Sequence, residues 1–311
     1  MTAVTHQPGY QARDREVVDY AEYLFGATGL RFRGPDPGPL PDGGFVSFLG
    51  AAQTFGCFTD RPFASQVGAA LDVGVRNLGY GGAGPRFYLE HPALLEEANR
   101  GAAAVVQVMS ARSEDNRLYR SGGLEYLERR RDGARVGAND AYAALVGGFD
   151  AVTGRPRHRV ARAIMRRARR PLAVSVVRET RANWVASYES LLDRLTVPVV
   201  LLWLSTRAPD YRESYRSVNG LFGAFPQLVN AAMVDRLKTR VTAAVEVVST
   251  SGLPQPLMSR VTGEPTTVDP ADDRPDLGGA RWTHNRYYPS PEMHDEAAEA
   301  LSTVLRRILC A

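Results

Sequence analysis

The sequence predicts an α/β fold, with a parallel sheet of about five strands, helices on both faces and an Arg-rich helical insertion. Three observations predict it. Short apolar runs recur along the chain, separated by segments of helical length, the pattern of parallel strands joined by crossover helices. Glycine-rich turns follow the first two of these runs, where a strand hands over to a helix. The chain has 311 residues, 44% of them apolar, enough for the core of one large α/β domain or two small ones.

Asp14 to Phe25 reads as a short amphipathic helix, and Gly34 to Gly44 as an extended Pro/Gly-rich loop. Residues 1–44 are therefore expected to form an N-terminal helix and loop ahead of a single domain spanning 45–311. Phe45 to Leu49 is the first strand, and Gly50 to Gly56 a turn into a helix over Phe63 to Leu71. A second strand near Val73 to Leu78 runs into a cluster of four glycines, Gly79, Gly81, Gly82 and Gly84. His91 to Arg100 reads as a helix and Ala103 to Met109 as the third strand. The rhythm then breaks. Ser110 to Pro171 carries weak helical patterning near Leu124 to Arg131 and Asp140 to Phe149, and an insertion is placed at about 118–171. Trp184, Tyr188, Leu191, Leu192 and Leu195 recur at helical spacing and place a helix over Glu179 to Leu195. Val197 to Leu204 is the fourth strand, Gln227 to Thr239 a helix and Ala243 to Val248 the fifth strand. Ser251 to Gly279 is loop-like. Pro289-Ser290-Pro291 then opens a closing helix, Glu292 to Leu309, with Ser as N-cap and Pro at the first helical position.

Composition excludes several classes. No apolar run approaches the roughly 18 residues a membrane span needs, and Met1 to Gln7 has neither the basic start nor the apolar stretch of a signal peptide. A soluble, cytoplasmic protein with no membrane partner is expected. Of 38 basic residues only Lys238 is a lysine, the mark of a GC-rich coding sequence. Eight arginines and no acid lie between Arg155 and Arg170, and without them the net charge of +4 would be −4. The charge is thus a compact patch, which reads as a solvated face or a protein-partner surface. A nucleic-acid partner is not expected, because the aromatics lie elsewhere. Cys57 and Cys310 stand far apart, and no metal-ligand series, Walker lysine or full dinucleotide fingerprint occurs, so no metal and no cofactor are expected.

Ligands of open parallel sheets bind at the carboxyl ends of the strands. The loops that begin at Gly79, Ser110, Ser205 and Ser249 each bring at least one arginine, among them Arg86, Arg112, Arg117 and Arg207. Guanidinium groups gathered on a cleft suit a phosphate, sulfate or carboxylate. They are equally accounted for as surface residues of an Arg-biased chain.

Three blocks add to this. Gly50-Ala51-Ala52-Gln53-Thr54-Phe55-Gly56 follows the first strand, Asn77-Leu78-Gly79-Tyr80-Gly81-Gly82 the second, and Asn285-Arg286-Tyr287-Tyr288-Pro289-Ser290 precedes the last helix. In order, spacing and strand context they resemble the Gly-Asp-Ser-x-Thr-x-Gly, Asn-x-Gly-x-x-Gly and Asp-x-x-His-Pro-Ser blocks of SGNH (GDSL-type) hydrolases. The resemblance implies an SGNH-like, flavodoxin-like sheet with the three blocks meeting in one cleft. It also implies a degenerate triad, since Ala52 stands at the nucleophile position, Asn285 at the acid and Tyr288 at the base. The family's third-block Asn falls on Ser113, and Gly82 alone is kept as a backbone oxyanion donor. Gly137-Ala138-Asn139-Asp140 reads instead as a helix N-cap. The strings Phe32 to Pro35, Phe48 to Gly56, Asn77 to Pro85, Val105 to Met109, Val199 to Leu204 and His294 to Leu301 resemble a bacterial family that carries only a domain-of-unknown-function label; this supports the fold and implies no mechanism.

The residues expected to do chemistry are Gln53 and Thr54 in the first turn, Glu114 after the third strand, and His284 and Tyr288 around the last block. Gly82, Arg86, Arg112, Arg117, Arg207 and Asn285 are expected to hold an anionic group. Cys57 reads as a buried core residue and His294 as structural. Two functions are expected. One is a biosynthetic enzyme, or a subunit of a heteromeric enzyme, acting on a small anionic molecule by positioning and proton transfer. Elimination, or intramolecular displacement of a sulfate or phosphate leaving group, fits it, and acyl or sulfuryl transfer is a variant. The other is a non-catalytic binding or partner subunit derived from an SGNH hydrolase.

Overall fold

The computed structural model describes residues 14–147, 159–268 and 281–310. Five strands form its main sheet: β1 (Phe45–Gly50), β2 (Gly74–Gly79), β3 (Ala103–Gln107), β4 (Val199–Ser205) and β5 (Ala243–Val248). They pair side by side in the order β2-β1-β3-β4-β5, every pair parallel. This is the flavodoxin-like order, with its topological switch between β1 and β3.

Alternate strand residues feed two cores. Leu49, Val106, Leu201 and Trp203 point to one face, covered by α3 (Pro85–Glu90), α4 (Pro92–Arg100), α5 (Ala138–Gly147), α6 (Arg159–Asp193), α7 (Val218–Phe222) and α8 (Ala231–Lys238). Phe48, Val105, Val200, Leu202 and Val245 point to the other, covered by α2 (Phe63–Leu71) and α9 (Pro291–Leu309). β1, β3 and β4 are buried on both sides, which is why they read in the sequence as continuous apolar runs. A last short helix, α1 (Ala52–Phe55), follows β1 directly and ends on Gly56 at φ 87°.

Several local expectations change. Asp14 to Phe25 is not a helix: a single 3-10 turn, Asp14–Glu16, is followed by Ala21 at φ 44° and by Tyr23–Leu24 pairing antiparallel with Arg31–Phe32. The left-handed Ala21 ends any helical path. The patterning at Leu124 to Arg131 proves to be β. Tyr119–Ser121, Tyr126–Arg129 and Arg135–Gly137 make a three-stranded antiparallel sheet, turning at Gly123 (φ 75°) and Gly133 (φ 70°). The helix expected from Glu179 begins at Arg159 and carries Pro171 inside it, at the cost of one backbone hydrogen bond. From Arg159 onward the Arg-rich run is therefore helical; Arg155 and Arg157 lie outside the described residues, as do Phe149 and residues 269–279 of the last loop. α8 starts only at Ala231, because Leu228 sits at φ 66° and Asn230 caps the helix by accepting from the Met233 N–H at 3.2 Å. Among the described residues no helix is long and apolar enough to cross a membrane.

Candidate functional site

The three blocks meet at the carboxyl ends of β1 and β2. Gln107, at the end of β3, holds the first turn: its Oε1 accepts from the Ala51 N–H (3.0 Å) and from the Thr54 hydroxyl (2.8 Å). Asn77 ties the second block to the first, donating to Thr54 O at 2.9 Å while its Oδ1 accepts from the Gly79 N–H at 2.9 Å. Gly79 is required there, since a Cβ would stand 2.3 Å from the Phe55 nitrogen. In the third block, Asn285 accepts from the backbone N–H of Tyr287 (3.1 Å) and Tyr288 (2.9 Å) and donates to Gln255 and to Tyr288 O. Its side chain is thus spent on folding its own turn.

Ala52, Gly82 and Tyr288 then share one corner, a void of about 30 Å³ whose walls also include Arg112 and Glu125. That is room for roughly one water molecule. The insertion closes the corner: Glu125, at the tip of its first hairpin, packs over Gly82, and the Gly84 N–H donates to Gly123 O at 3.1 Å. Burial pushes the Tyr288 phenol well above its ordinary range, so it is a neutral hydroxyl and no proton acceptor at neutral pH. His294 is fully buried, accepts from the Phe63 N–H at 3.2 Å and is pushed down to about 3 by desolvation, so it too stays neutral and structural. Burial likewise raises the Cys57 thiol, which leaves no thiolate at the turn.

Beside this corner opens a larger cavity of about 380 Å³. Its walls include Phe222, Asn139, Arg286 and Met293, and it shares Gln53, Arg112, Phe225, Gln227 and Tyr287 with the corner. Arg112 is 7% exposed and forks between Asn139 Oδ1 (2.9 Å) and Glu125 Oε2 (3.1 Å). Gln227 donates to the Tyr287 hydroxyl at 2.8 Å.

Of the residues expected at the site, the structure brings together Gln53, Gly82, Arg112 and Tyr288. It does not bring the others. Thr54 spends its hydroxyl on Gln107. Glu114 is paired with Arg86 at 3.1 Å, and Asp115 shares that guanidinium. Arg117 pairs with Glu179 on the surface at 2.6 Å. His284 sits on a two-residue strand with its Nδ1 3.0 Å from the Thr283 hydroxyl, in the wall of neither cavity. Arg207 is a clamp for the β4 loop. It donates to the carbonyls of Ala208, Ala224, Pro226 and Val229, stacks against Trp203 and Tyr211, and is pushed down to about 10 by burial. Arg86, Arg112 and Arg207 therefore do not converge on one ion.

Sequence reasoning missed Glu125, Asn139, Gln227, Arg286 and Tyr287. Arg286 and Tyr287 lie inside the third block and could have been found there. Asn139 is the second residue of α5, not its cap, and Glu125 and Gln227 come from loops that no motif marks. Among the described residues no group of three His, Cys, Asp or Glu is placed to hold a metal ion.

The chain matches no curated protein sequence. Among solved structures it is similar to an acetyl xylan esterase from Butyrivibrio proteoclasticus at 12% identity and a TM-score of 0.40, covering 87% of this chain and 65% of the esterase. A putative acylhydrolase from Bacteroides fragilis matches at 14% identity and a TM-score of 0.37, covering 87% of this chain and 91% of that one. A putative SGNH hydrolase from Slackia heliotrinireducens matches at 14% identity and a TM-score of 0.37, covering 84% and 98%. The chain thus spans just under two thirds of the esterase's length. Because the family model covers residues 9–309, nearly the whole sequence, the chain belongs to the family described as Domain of unknown function (DUF6473).

Proposed function

We propose that the 380 Å³ cavity binds a small organic anion and that the protein acts on it by positioning and charge, without an acyl-enzyme. One observation carries this reading: Arg286 walls the cavity, and among the described residues no carboxylate side chain does, while Arg112, which also walls it, is balanced by Glu125 at 3.1 Å. An arginine in a partly enclosed, partly apolar cleft favours a carboxylate, sulfate or phosphate group. Internal displacement of a sulfate or phosphate leaving group is the reaction class such a site serves: an atom of the substrate itself attacks, its proton passes to solvent, and the bond to the leaving group breaks so that this group departs as an anion beside the arginine, with no nucleophile from the protein. A non-catalytic partner subunit is the second reading. It is favoured by the way Asn285 and Tyr288 are consumed by folding. In either case the Arg155 to Arg170 run is proposed to meet a protein partner.

Thermal melts across titrations of sulfate, phosphate and benzoate test the proposal. A bound anion should raise stability by about 2.7 kcal/mol at a hundred times its dissociation constant, and the gain should saturate. Chloride at equal ionic strength should not reproduce it. Arg286→Leu should weaken the gain, and Arg117→Leu, on the surface, should leave it intact. Equal losses in the two variants would show that the anion reads net charge, and the cavity would lose its claim. In parallel, Ala52→Ser should yield no hydrolysis of a nitrophenyl ester, because no imidazole walls the corner. Robust turnover by that variant would place the base elsewhere and restore a hydrolase.

A further inference from the structure

We infer that Arg112 is a carboxylate site which the protein keeps filled with its own Glu125, and that a ligand carboxylate takes it by displacing Glu125 and the hairpin that carries it. The inference rests on the small-anion reading above and adds where the ligand's carboxylate goes and what moves to admit it. Arg112 stands in the walls of both the cavity and the corner. Its guanidinium donates to Asn139 Oδ1 at 2.9 Å and to Glu125 Oε2 at 3.1 Å. Glu125 walls the corner too. Its side chain is 16% exposed against 8% for Arg112, so the carboxylate is the more open member of the pair.

A second anion added to this pair would leave the group with a net negative charge away from bulk water, which is costly. Exchange avoids that cost. Arg112 keeps one carboxylate, the ligand's head takes the place that Glu125 leaves, and Glu125 regains its hydration. The loop 122–125 that carries Glu125 is suited to the move. It opens with two glycines: Gly123 lies at φ 75°, and at Gly122 the nearest atom stands 3.9 Å from where a Cβ would be. Successive glycines let a short loop change course at little steric cost. The loop rests on Gly82, which has no side chain to interlock with it, and on a hydrogen bond from the Gly84 N–H to Gly123 O at 3.1 Å. While the hairpin is closed, the 30 Å³ of the corner has room for about one water molecule. A carboxylate therefore reaches Arg112 only in the open fraction, and its apparent affinity for the native protein is lowered by that fraction.

Isothermal titration of the full chain with benzoate at constant ionic strength, together with amide hydrogen exchange, tests the inference. Glu125→Gln keeps the side chain's shape but offers Arg112 only a neutral acceptor, so it should bind benzoate more tightly than the native protein by at least about tenfold. In the native protein, saturating benzoate should speed exchange over residues 119–126 and leave Phe45–Gly50 unchanged. A ligand that merely covered the hairpin would slow it. Benzoate binding weakened by Arg286→Leu, with Glu125→Gln no tighter and hairpin exchange unchanged, would overturn the exchange of carboxylates and leave the anion reading standing. A tighter Glu125→Gln and a faster hairpin, with Arg286→Leu silent, would support the exchange and overturn the role given to Arg286. Slower hairpin exchange on binding would overturn the inference whatever the variants do. No binding to either protein up to the solubility limit of benzoate would overturn both readings. Should Glu125→Gln fail to fold, hairpin exchange in the native protein decides alone.

Discussion

Asp14 is fully buried, with one carboxyl oxygen accepting from the Tyr20 hydroxyl at 2.7 Å and the other unpaired. Burial raises it from 3.8 to about 7 against the opposing pull of that hydrogen bond. The folded chain therefore holds a proton between these values that the unfolded chain has lost. The stability contributed by Asp14 is complete below pH 3.8 and declines as pH rises through about 7, by up to about 1.4 kcal/mol per pH unit. Urea midpoints measured between pH 4 and 7 should fall with rising pH in the native protein and flatten in Asp14→Asn. An equal slope in both would assign the titration to another group. Nothing in the sequence marks Asp14, because its burial depends on the fold of the segment around Tyr20 and Cys57. The departures at Ala52, Asn285 and Tyr288, by contrast, are legible residue by residue, since alanine, amide and phenol are defined before any folding.

At the scale of elements, Phe63–Leu71, Ala243–Val248 and the Ser290-capped helix were readable from periodicity and capping residues, and in the structure Ser290 does accept from the Met293 N–H at 3.3 Å. The glycine cluster after β2 was legible as a turn, but its glycines are not equivalent. At Gly79 a Cβ would strike the backbone of α1, whereas at Gly84 the nearest atom lies 3.9 Å away. Gly79→Ala should cost about 3 kcal/mol or more by forcing α1 off the sheet, and Gly84→Ala should stay within about 0.5 kcal/mol. Urea denaturation of the two variants measures the difference; similar costs would show that α1 yields freely. The three-stranded insertion sheet was not legible as β. Its strands have three or four residues and only part of one face buried, too little for a period of two to stand out.

For the whole molecule, β1, β3 and β4 are buried on both faces and bonded on both sides, while the insertion sheet is short and half open to water. Amide hydrogen exchange should be slowest in Phe45–Gly50, Ala103–Gln107 and Val199–Ser205 and clearly faster over residues 119–137. Uniform protection across both regions would mean that the insertion unfolds only with the core. The sequence by itself determined the parallel α/β class and the order of its main elements, because each follows from residue identity and local period. Only the tertiary structure decided which arginines share a cavity, that Arg86 and Arg117 pair with acids and Arg207 with backbone carbonyls, and that Glu125 and Gln227 stand at the site. Those facts depend on where loops from distant parts of the chain come to rest, and hydrogen-bond partners so far apart in sequence leave no periodic trace in it.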